Sequence, residues 1–271
     1  MFSKYDYRKI NYEVMTDTKH QYETLPELKD AVCYSIDNQF MIAHEDEVQL
    51  EPIDNPQSDV IVTGYRSFEA AKAYQGKKIA VLNFANNHSI GGNPFFANAQ
   101  EEALCRCSTL LPCLEALTDE FYEKHIDQYE SGEMNYMGND DLIYTPDVVV
   151  FKTDERSEPI CPQMLPKKEW YKVDVITSAA PELWRESMPS NYEECITSRI
   201  KKILDVAAKQ NVEVLILGAW GCGAFRNPSE IVARVFLTLL KEYNFDTVEF
   251  ALGTNKSLSE NIFSQALSQF E

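Results

Sequence analysis

From residue 59 onward, short apolar runs alternate with longer segments of helical period, and this alternation constrains the fold most. Six runs are rich in Val and Ile and are bounded by polar residues, Gly or Pro: Val60–Thr63, Ile79–Phe84, Val148–Phe151, Val173–Thr177, Val214–Leu217 and Val248–Leu252. Short continuous apolar runs are typical of strands that are buried on both faces. Their alternation with helices predicts an α/β fold of three layers, in which helices flank a sheet.

Segments 103–114, 196–207 and 231–239 carry apolar residues at helical spacing, and Pro112 predicts a break in the first of them. Before residue 58 the chain is polar and irregular, apart from a predicted helix around Leu25–Ile36. The acidic stretch Glu45–Ser58 predicts a loop or linker. We therefore divide the chain into a partly helical N-terminal extension, residues 1–57, and a main domain, residues 58–271.

The net charge indicates which binding partners to expect, and the cysteines indicate the cellular compartment. With 43 acidic and 25 basic residues, the net charge of −18 argues against direct binding of nucleic acid or anionic membrane. No stretch approaches the roughly 20 apolar residues of a membrane span, and the N-terminus lacks the apolar core of a signal peptide. Seven cysteines without a CxxC pair predict reduced thiols in the cytoplasm or nucleus. We expect no metal site and no cofactor.

The loop after the predicted strand Ile79–Phe84 contains polar and glycine residues that suit a ligand site. It carries Asn83 and Asn86, the pair Gly91-Gly92, and then Gln100-Glu101-Glu102 at the start of a helix. Open α/β sheets bind ligands at the carboxyl ends of their strands, and glycine lets the backbone approach a ligand closely. Acidic residues in a first turn also stabilise the helix dipole, so simple capping is the alternative interpretation.

A second glycine-rich loop, Gly218–Phe225, follows the predicted strand Val214–Leu217. A Gly-x-x-Gly-x-Gly loop ahead of a helix N-terminus is typical of a phosphate or pyrophosphate site, although turns also use glycine. Asn227 is predicted to cap that helix, with Pro228 at its first position. Because the chain is acidic, backbone amides and helix ends would have to attract the phosphate.

Segment 81–114 resembles the signature of the microbial-type poly(ADP-ribose) glycohydrolases, a branch of the macrodomains. That signature is Gly-Gly-Gly, six to eight residues, and Gln-Glu-Glu; here it reads Gly91-Gly92-Asn93, six residues, and Gln100-Glu101-Glu102. Asn93 stands where the family has its third glycine, and Asn tolerates left-handed φ better than other non-glycine residues. Segment 83–86 resembles the Asn-Ala-Ala-Asn stretch of macrodomains, and Gly218–Phe225 resembles their phosphate loop.

The resemblance implies a macrodomain-like mixed sheet, with residues 58–271 as an ADP-ribose-binding catalytic domain. It implies that Glu102 is the catalytic carboxyl and that Glu101 holds the adjacent ribose. The ligand-binding residues that it implies are Asn83, Ala85, Asn86, Gly91, Gly92, Asn93, Gln100, Gly218, Gly221, Cys222, Gly223, Ala224 and Phe225.

The implied function is hydrolysis of an ADP-ribosyl bond in poly(ADP-ribose) or in mono-ADP-ribosylated protein. The expected partners are accordingly ADP-ribose and ADP-ribosylated protein. Two alternatives stay open at this point: a macrodomain that binds ADP-ribose without cleaving it, and a nucleotide-metabolising α/β enzyme of another class.

Overall fold

The computed structural model describes residues 4–154, 162–253 and 258–269, which form a seven-stranded mixed sheet between two layers of helices. The strands run in the spatial order β1-β4-β5-β3-β6-β7-β2. The contacts β1–β4 and β4–β5 are antiparallel, and the other four are parallel. The predicted three-layer mixed sheet is confirmed. The strands are β1 Phe40–Ile42, β2 Val60–Thr63, β3 Ile79–Ala85, β4 Leu142–Val150, β5 Tyr171–Ala179, β6 Val214–Leu217 and β7 Thr247–Ala251.

Two hydrophobic cores lie on opposite faces of the sheet. Alternate residues of β3 enter different cores. Leu82 packs with the helices that begin at Tyr192, Ser229 and Leu258, and Val81 packs with the cluster that includes the helices beginning at Gln100 and Leu110. No helix in the described residues is both long and apolar enough to cross a membrane. The helices are α1 Lys4–Thr24, α2 Pro26–Asn38, α3 Ser67–Ala71, α4 Gln100–Cys107, α5 Leu110–Glu115, α6 Lys124–Ser131, α7 Tyr192–Lys209, α8 Ser229–Leu240 and α9 Leu258–Ser268.

The N-terminal residues contribute to the same sheet and core. The helix predicted around Leu25–Ile36 is confirmed as α2, and β1 pairs with the start of β4 at the edge of the sheet. Helix α1 lies beside α4, where the Thr18 hydroxyl donates to the carbonyl oxygen of Arg106 at 2.7 Å. The proposed boundary at residue 57 stays a prediction.

The helix predicted over 103–114 is divided, but the division is not at Pro112. Helix α4 ends at Cys107, and Ser108 is extended and forms an antiparallel bridge with Val150. The amide of Thr109 then donates to the carbonyl oxygen of Val149 at 3.0 Å. This pairing with the end of β4 interrupts the helix. Pro112 lies in the first turn of α5, where its missing N–H would have no partner within the helix.

Candidate active site

A cleft of about 570 Å³ crosses the sheet at the carboxyl ends of the parallel strands. Both predicted loops line it: Asn86 and Gly92 come from the first, and 219–225 come from the second. The first turn of α4 forms part of the wall, and Leu252 and Gly253 extend it beyond β7. Both the position and the volume are typical of a ligand site in an α/β fold.

Glu101 lies in the wall of the cleft with only 3% of its surface exposed. Its Oε1 accepts a hydrogen bond from Nδ2 of Asn83 at 3.1 Å, and its Oε2 accepts one from the Asn86 amide at 3.0 Å. Burial raises the pKa of Glu101 well above its usual range; the adjacent Glu102 carboxylate raises it further, and the two hydrogen bonds oppose the shift. The structure therefore holds this carboxyl in one orientation and favours its neutral form.

Glu102 caps its own helix and also lines the cleft. Its Oε2 accepts a hydrogen bond from the Ala99 amide at 3.0 Å, and its Oε1 accepts one from the Asn93 amide at 3.2 Å. The capping interpretation is thus correct, but it does not exclude a role in chemistry, since Glu102 lines the cleft. Each carboxylate oxygen can accept a second hydrogen bond, which leaves capacity for a substrate group.

Gln100 attaches the start of α4 to the end of β3. Its Oε1 accepts a hydrogen bond from the Phe84 amide at 2.9 Å, and its Nε2 donates to the Leu82 carbonyl oxygen at 2.8 Å and to the Ser67 hydroxyl at 3.1 Å. This side chain therefore fixes where the two following glutamates meet the sheet.

Arg106, which sequence reasoning missed, holds the segment that precedes the two glutamates. It is 2% exposed, and its Nη1 donates to the carbonyl oxygens of Pro94 and Ala97, each at 2.8 Å. Asn11 of α1 also donates to the Ala97 oxygen, at 2.9 Å. The sequence signal was available, since an arginine four residues after Glu102 lies on the same side of α4.

Asn227 anchors the second loop, so the prediction that it caps α8 was wrong. Its Nδ2 donates to the carbonyl oxygens of Pro181 at 2.8 Å and Gly221 at 3.0 Å, and its Oδ1 accepts from the Tyr192 hydroxyl at 2.8 Å. These contacts direct the side chain to the loop and to α7, and the N-cap position of α8 is Pro228. The loop is thereby attached to the end of β5.

We expect Gly221→Ala to lower the free energy of unfolding by about 1–3 kcal/mol and to weaken ADP-ribose binding. Gly221 has φ +72°, and an added Cβ would lie 2.5 Å from Cβ of Ala180 and 2.6 Å from Nδ2 of Asn227. Gly223→Ala, in the same loop, is the control for stability alone, because its Cβ would have no neighbour within 4 Å. Thermal unfolding and calorimetric titration compare the two variants; equal stabilities would contradict the prediction.

The structure separates the predicted ligand-binding residues into two groups. Nine line the cleft together with Glu101 and Glu102: Ala85, Asn86, Gly92, Gln100, Gly221, Cys222, Gly223, Ala224 and Phe225. Four lie outside its lining: Asn83, Gly91, Asn93 and Gly218. Contact of either group with a ligand stays a prediction.

Asn83 and Asn93 act from outside the cleft. Asn83 is fully buried and supports Glu101, as described above. Asn93 is exposed and is absent from the residues with positive φ, so the turn needs no third glycine here. Its amide donates to Glu102, which means that its backbone, rather than its side chain, contributes to the site.

Several residues that line the cleft carry no motif and were missed. They are Arg66, Ser67, Asp154, Ala180, Leu252 and Gly253. Arg66 follows β2 and forms an ion pair with the buried Asp154, with Nε 3.0 Å from Oδ1. The strand ends alone could have indicated the residues after β2, β5 and β7, since parallel strands end at the same edge of a sheet.

One group of possible metal ligands occurs in the described residues, and it lies outside the cleft lining. His44, Glu45 and Asp141 place ligand atoms within 4.8 Å of one another. Asp141 already lies 3.6 Å from the Lys124 ammonium and 3.2 Å from Nε2 of His125. Because a metal ion would compete with these groups, we assign none there.

The family model "microbial-type PARG, catalytic domain" matches residues 12–153. No curated protein matches by sequence. Poly(ADP-ribose) glycohydrolase from Thermomonospora curvata is 26% identical, with 94% of this chain and 98% of that chain covered and a TM-score of 0.80.

Two ligand-bound structures are also similar. The Thermomonospora curvata enzyme bound to the inhibitor ADP-HPD is 26% identical, with the same coverage and a TM-score of 0.78. The enzyme from Deinococcus radiodurans in complex with ADP-ribose is 28% identical, with 88% of this chain and 97% of that chain covered and a TM-score of 0.70.

Proposed function

Since this chain belongs to the microbial-type poly(ADP-ribose) glycohydrolase family and is such a glycohydrolase, we propose that Glu102 is its catalytic acid and Glu101 its ribose-positioning residue. We extend the same chemistry to single ADP-ribosyl groups on protein. The observation that carries the residue assignment is the shared cleft, in which the two glutamates of α4 and the glycine-rich loop 221–225 both lie.

The loop 221–225 would hold the pyrophosphate through backbone amides, as the acidic composition requires. A ligand whose pyrophosphate lies there places its distal ribose toward β3, where Glu101 and Glu102 line the cleft. Phe225 would pack against the sugar or base at the adenosine end. ADP-ribose thus fits the order in which the cleft presents its groups.

Cleavage breaks the bond between the anomeric carbon and the leaving oxygen through an oxocarbenium-like transition state. Glu102 donates a proton to the leaving oxygen as the bond to the anomeric carbon breaks. Water then adds to the anomeric carbon from the opposite face and releases a proton to solvent, from which Glu102 regains one. Adjacent residues cannot flank one sugar ring as the two carboxyls of most glycosidases do. We therefore assign Glu101 to holding the ribose and the bound pyrophosphate to orienting the water.

We expect release of ADP-ribose from poly(ADP-ribose) to continue in excess EDTA, because the scheme uses only carboxyl groups, water and the pyrophosphate of the substrate. ADP-ribose should also raise the melting temperature more than AMP, which lacks the second phosphate and the distal ribose. Chromatography of the products and thermal unfolding measure the two effects. Absence of release, or a loss in EDTA that Mg²⁺ restores, would contradict the scheme.

A further inference from the structure

Four side chains outside the cleft lining form a stack that the reaction scheme does not use. The rings of Tyr129 and Tyr136 are parallel to within 16°, with centres 5.1 Å apart. The guanidinium carbon of Arg185 lies 4.5 Å from the ring centres of both Tyr136 and Trp184. We call Tyr129, Tyr136, Arg185 and Trp184 the aromatic stack. Trp184 is 47% exposed, and no other aromatic ring contacts it among the described residues.

The aromatic stack is attached to the loop that forms the catalytic end of the cleft. Buried Glu182 lies 2.7 Å from Nε2 of His88 and 3.2 Å from Nε of Arg185. The amide of His88 donates to Oδ1 of Asn86, which lines the cleft. These contacts hold Arg185 in place, and they leave its two terminal nitrogens without a partner in the described part of the chain.

The position of the stack follows from the order of strands, and this step rests on the proposed function. The cleft crosses the strand ends in the order β5, β3, β6, β7, β2. With the pyrophosphate at the loop after β6 and the scissile bond beside β3, the adenosine of the bound unit must lie toward β7. The leaving group therefore emerges on the β5 side. Trp184 belongs to the connection on this side: it follows by four residues Ala180, which lines the cleft directly after β5.

The chemistry of the stack identifies what it would bind. In poly(ADP-ribose) the leaving oxygen belongs to the ribose of the next adenosine, so an adenine follows the scissile bond directly. Exposed aromatic rings stack on nucleobases, and a guanidinium pairs with phosphate. We propose that Trp184 stacks on the adenine of the ADP-ribose unit on the leaving side and that Arg185 pairs with its phosphates. A peptide carries no base at this position, so a mono-ADP-ribosylated peptide would not gain this contact.

The test measures binding in a Glu102→Gln background, in which the substrate stays intact. The ligands are ADP-ribose, a two-unit fragment of poly(ADP-ribose) and a mono-ADP-ribosylated peptide. Trp184→Ala should weaken binding of the two-unit fragment roughly 5- to 100-fold, in line with loss of one base–aromatic stack, and leave the other two affinities unchanged. Trp184→Phe should restore most of the loss, because the ring is retained.

Tyr34→Ala is the matched control. Tyr34 is 50% exposed on α2, its ring lies 5.7 Å from the Lys172 ammonium, and it does not line the cleft. It should change none of the three affinities. An unchanged affinity of Trp184→Ala for the two-unit fragment would overturn the proposal. An equal loss for the peptide would also overturn it and would indicate a peptide-binding surface. Failure of the proposed function would differ from failure of this proposal, because the parent protein would then release no ADP-ribose from the polymer.

Discussion

Glu102→Gln should lower the rate of ADP-ribose release by about 10²–10⁴-fold and leave the affinity for ADP-ribose nearly unchanged. Glutamine keeps the size of the side chain but cannot donate a proton to the leaving oxygen. Its amide group can accept only one of the hydrogen bonds that the Asn93 and Ala99 amides now donate. We therefore also expect a loss of about 0.5–2 kcal/mol in the free energy of unfolding, as for a lost helix cap. Initial rates, calorimetry and thermal unfolding measure the three quantities.

Glu69→Gln is the matched control for the capping effect. Glu69 is the N3 residue of α3, where its Oε2 accepts a hydrogen bond from the Arg66 amide at 3.1 Å, and it does not line the cleft. Because glutamine can still accept that single hydrogen bond, this variant should lose less stability than Glu102→Gln and keep the parent rate. Equal rates in the parent and Glu102→Gln would refute the catalytic assignment.

Glu101→Gln should differ from Glu102→Gln in its effect on binding. Both oxygens of Glu101 accept hydrogen bonds, from Asn83 and Asn86, so the amide would disturb the residue proposed to hold the ribose. We expect both affinity and rate to fall. A variant that keeps the parent affinity would show that Glu101 does not position the ribose.

The sequence predicted the parallel part of the sheet well because its strands are continuous apolar runs. It missed β1, which has three residues, and the first half of β4, which carries Pro146 and polar residues and pairs antiparallel at the edge. Neither segment has the pattern of a strand buried on both faces. The aromatic stack could not be predicted, because Tyr129 and Tyr136 come from an acidic segment whose structure the sequence did not indicate.

At the site, the sequence identified the groups that line the cleft better than those that hold them. Glu101, Glu102 and the loop 221–225 have recognisable spacing, and the structure brings them together. Arg106 and Asn227 each hold two backbone carbonyl oxygens, those of Pro94 and Ala97 and those of Pro181 and Gly221. The spacing of Arg106 from Glu102 places both on one side of α4, but no spacing rule indicates the contact of Asn227 with Pro181. Glu102 shows why capping and a place in the site are hard to separate by pattern: the same side chain caps α4 and lines the cleft.

Gly92→Ala should reduce turnover by about 10²-fold or more, because the site has no room for a side chain at this position. A Cβ on Gly92 would lie 2.4 Å from Oε1 of Glu102, 2.9 Å from its Cδ and 3.4 Å from Oε2 of Glu101. The Glu102 carboxyl, proposed as the catalytic acid, must then move, and a displacement of about 1 Å can cost about 10²-fold in rate. Gly92 also has φ +67°, where alanine costs about 1–2 kcal/mol.

Gly132→Ala separates the contact from the backbone strain. Gly132 ends α6 with φ +73°, and a Cβ there would have no neighbour within 4 Å. The positive φ should therefore lower the free energy of unfolding of both variants by a similar amount. Only Gly92→Ala should release ADP-ribose more slowly than the parent. The measurement is the initial rate of ADP-ribose release at a temperature at which both variants are folded, as shown by thermal unfolding. A Gly92→Ala variant with the parent rate would show that the position of Glu102 under this glycine is not required for catalysis.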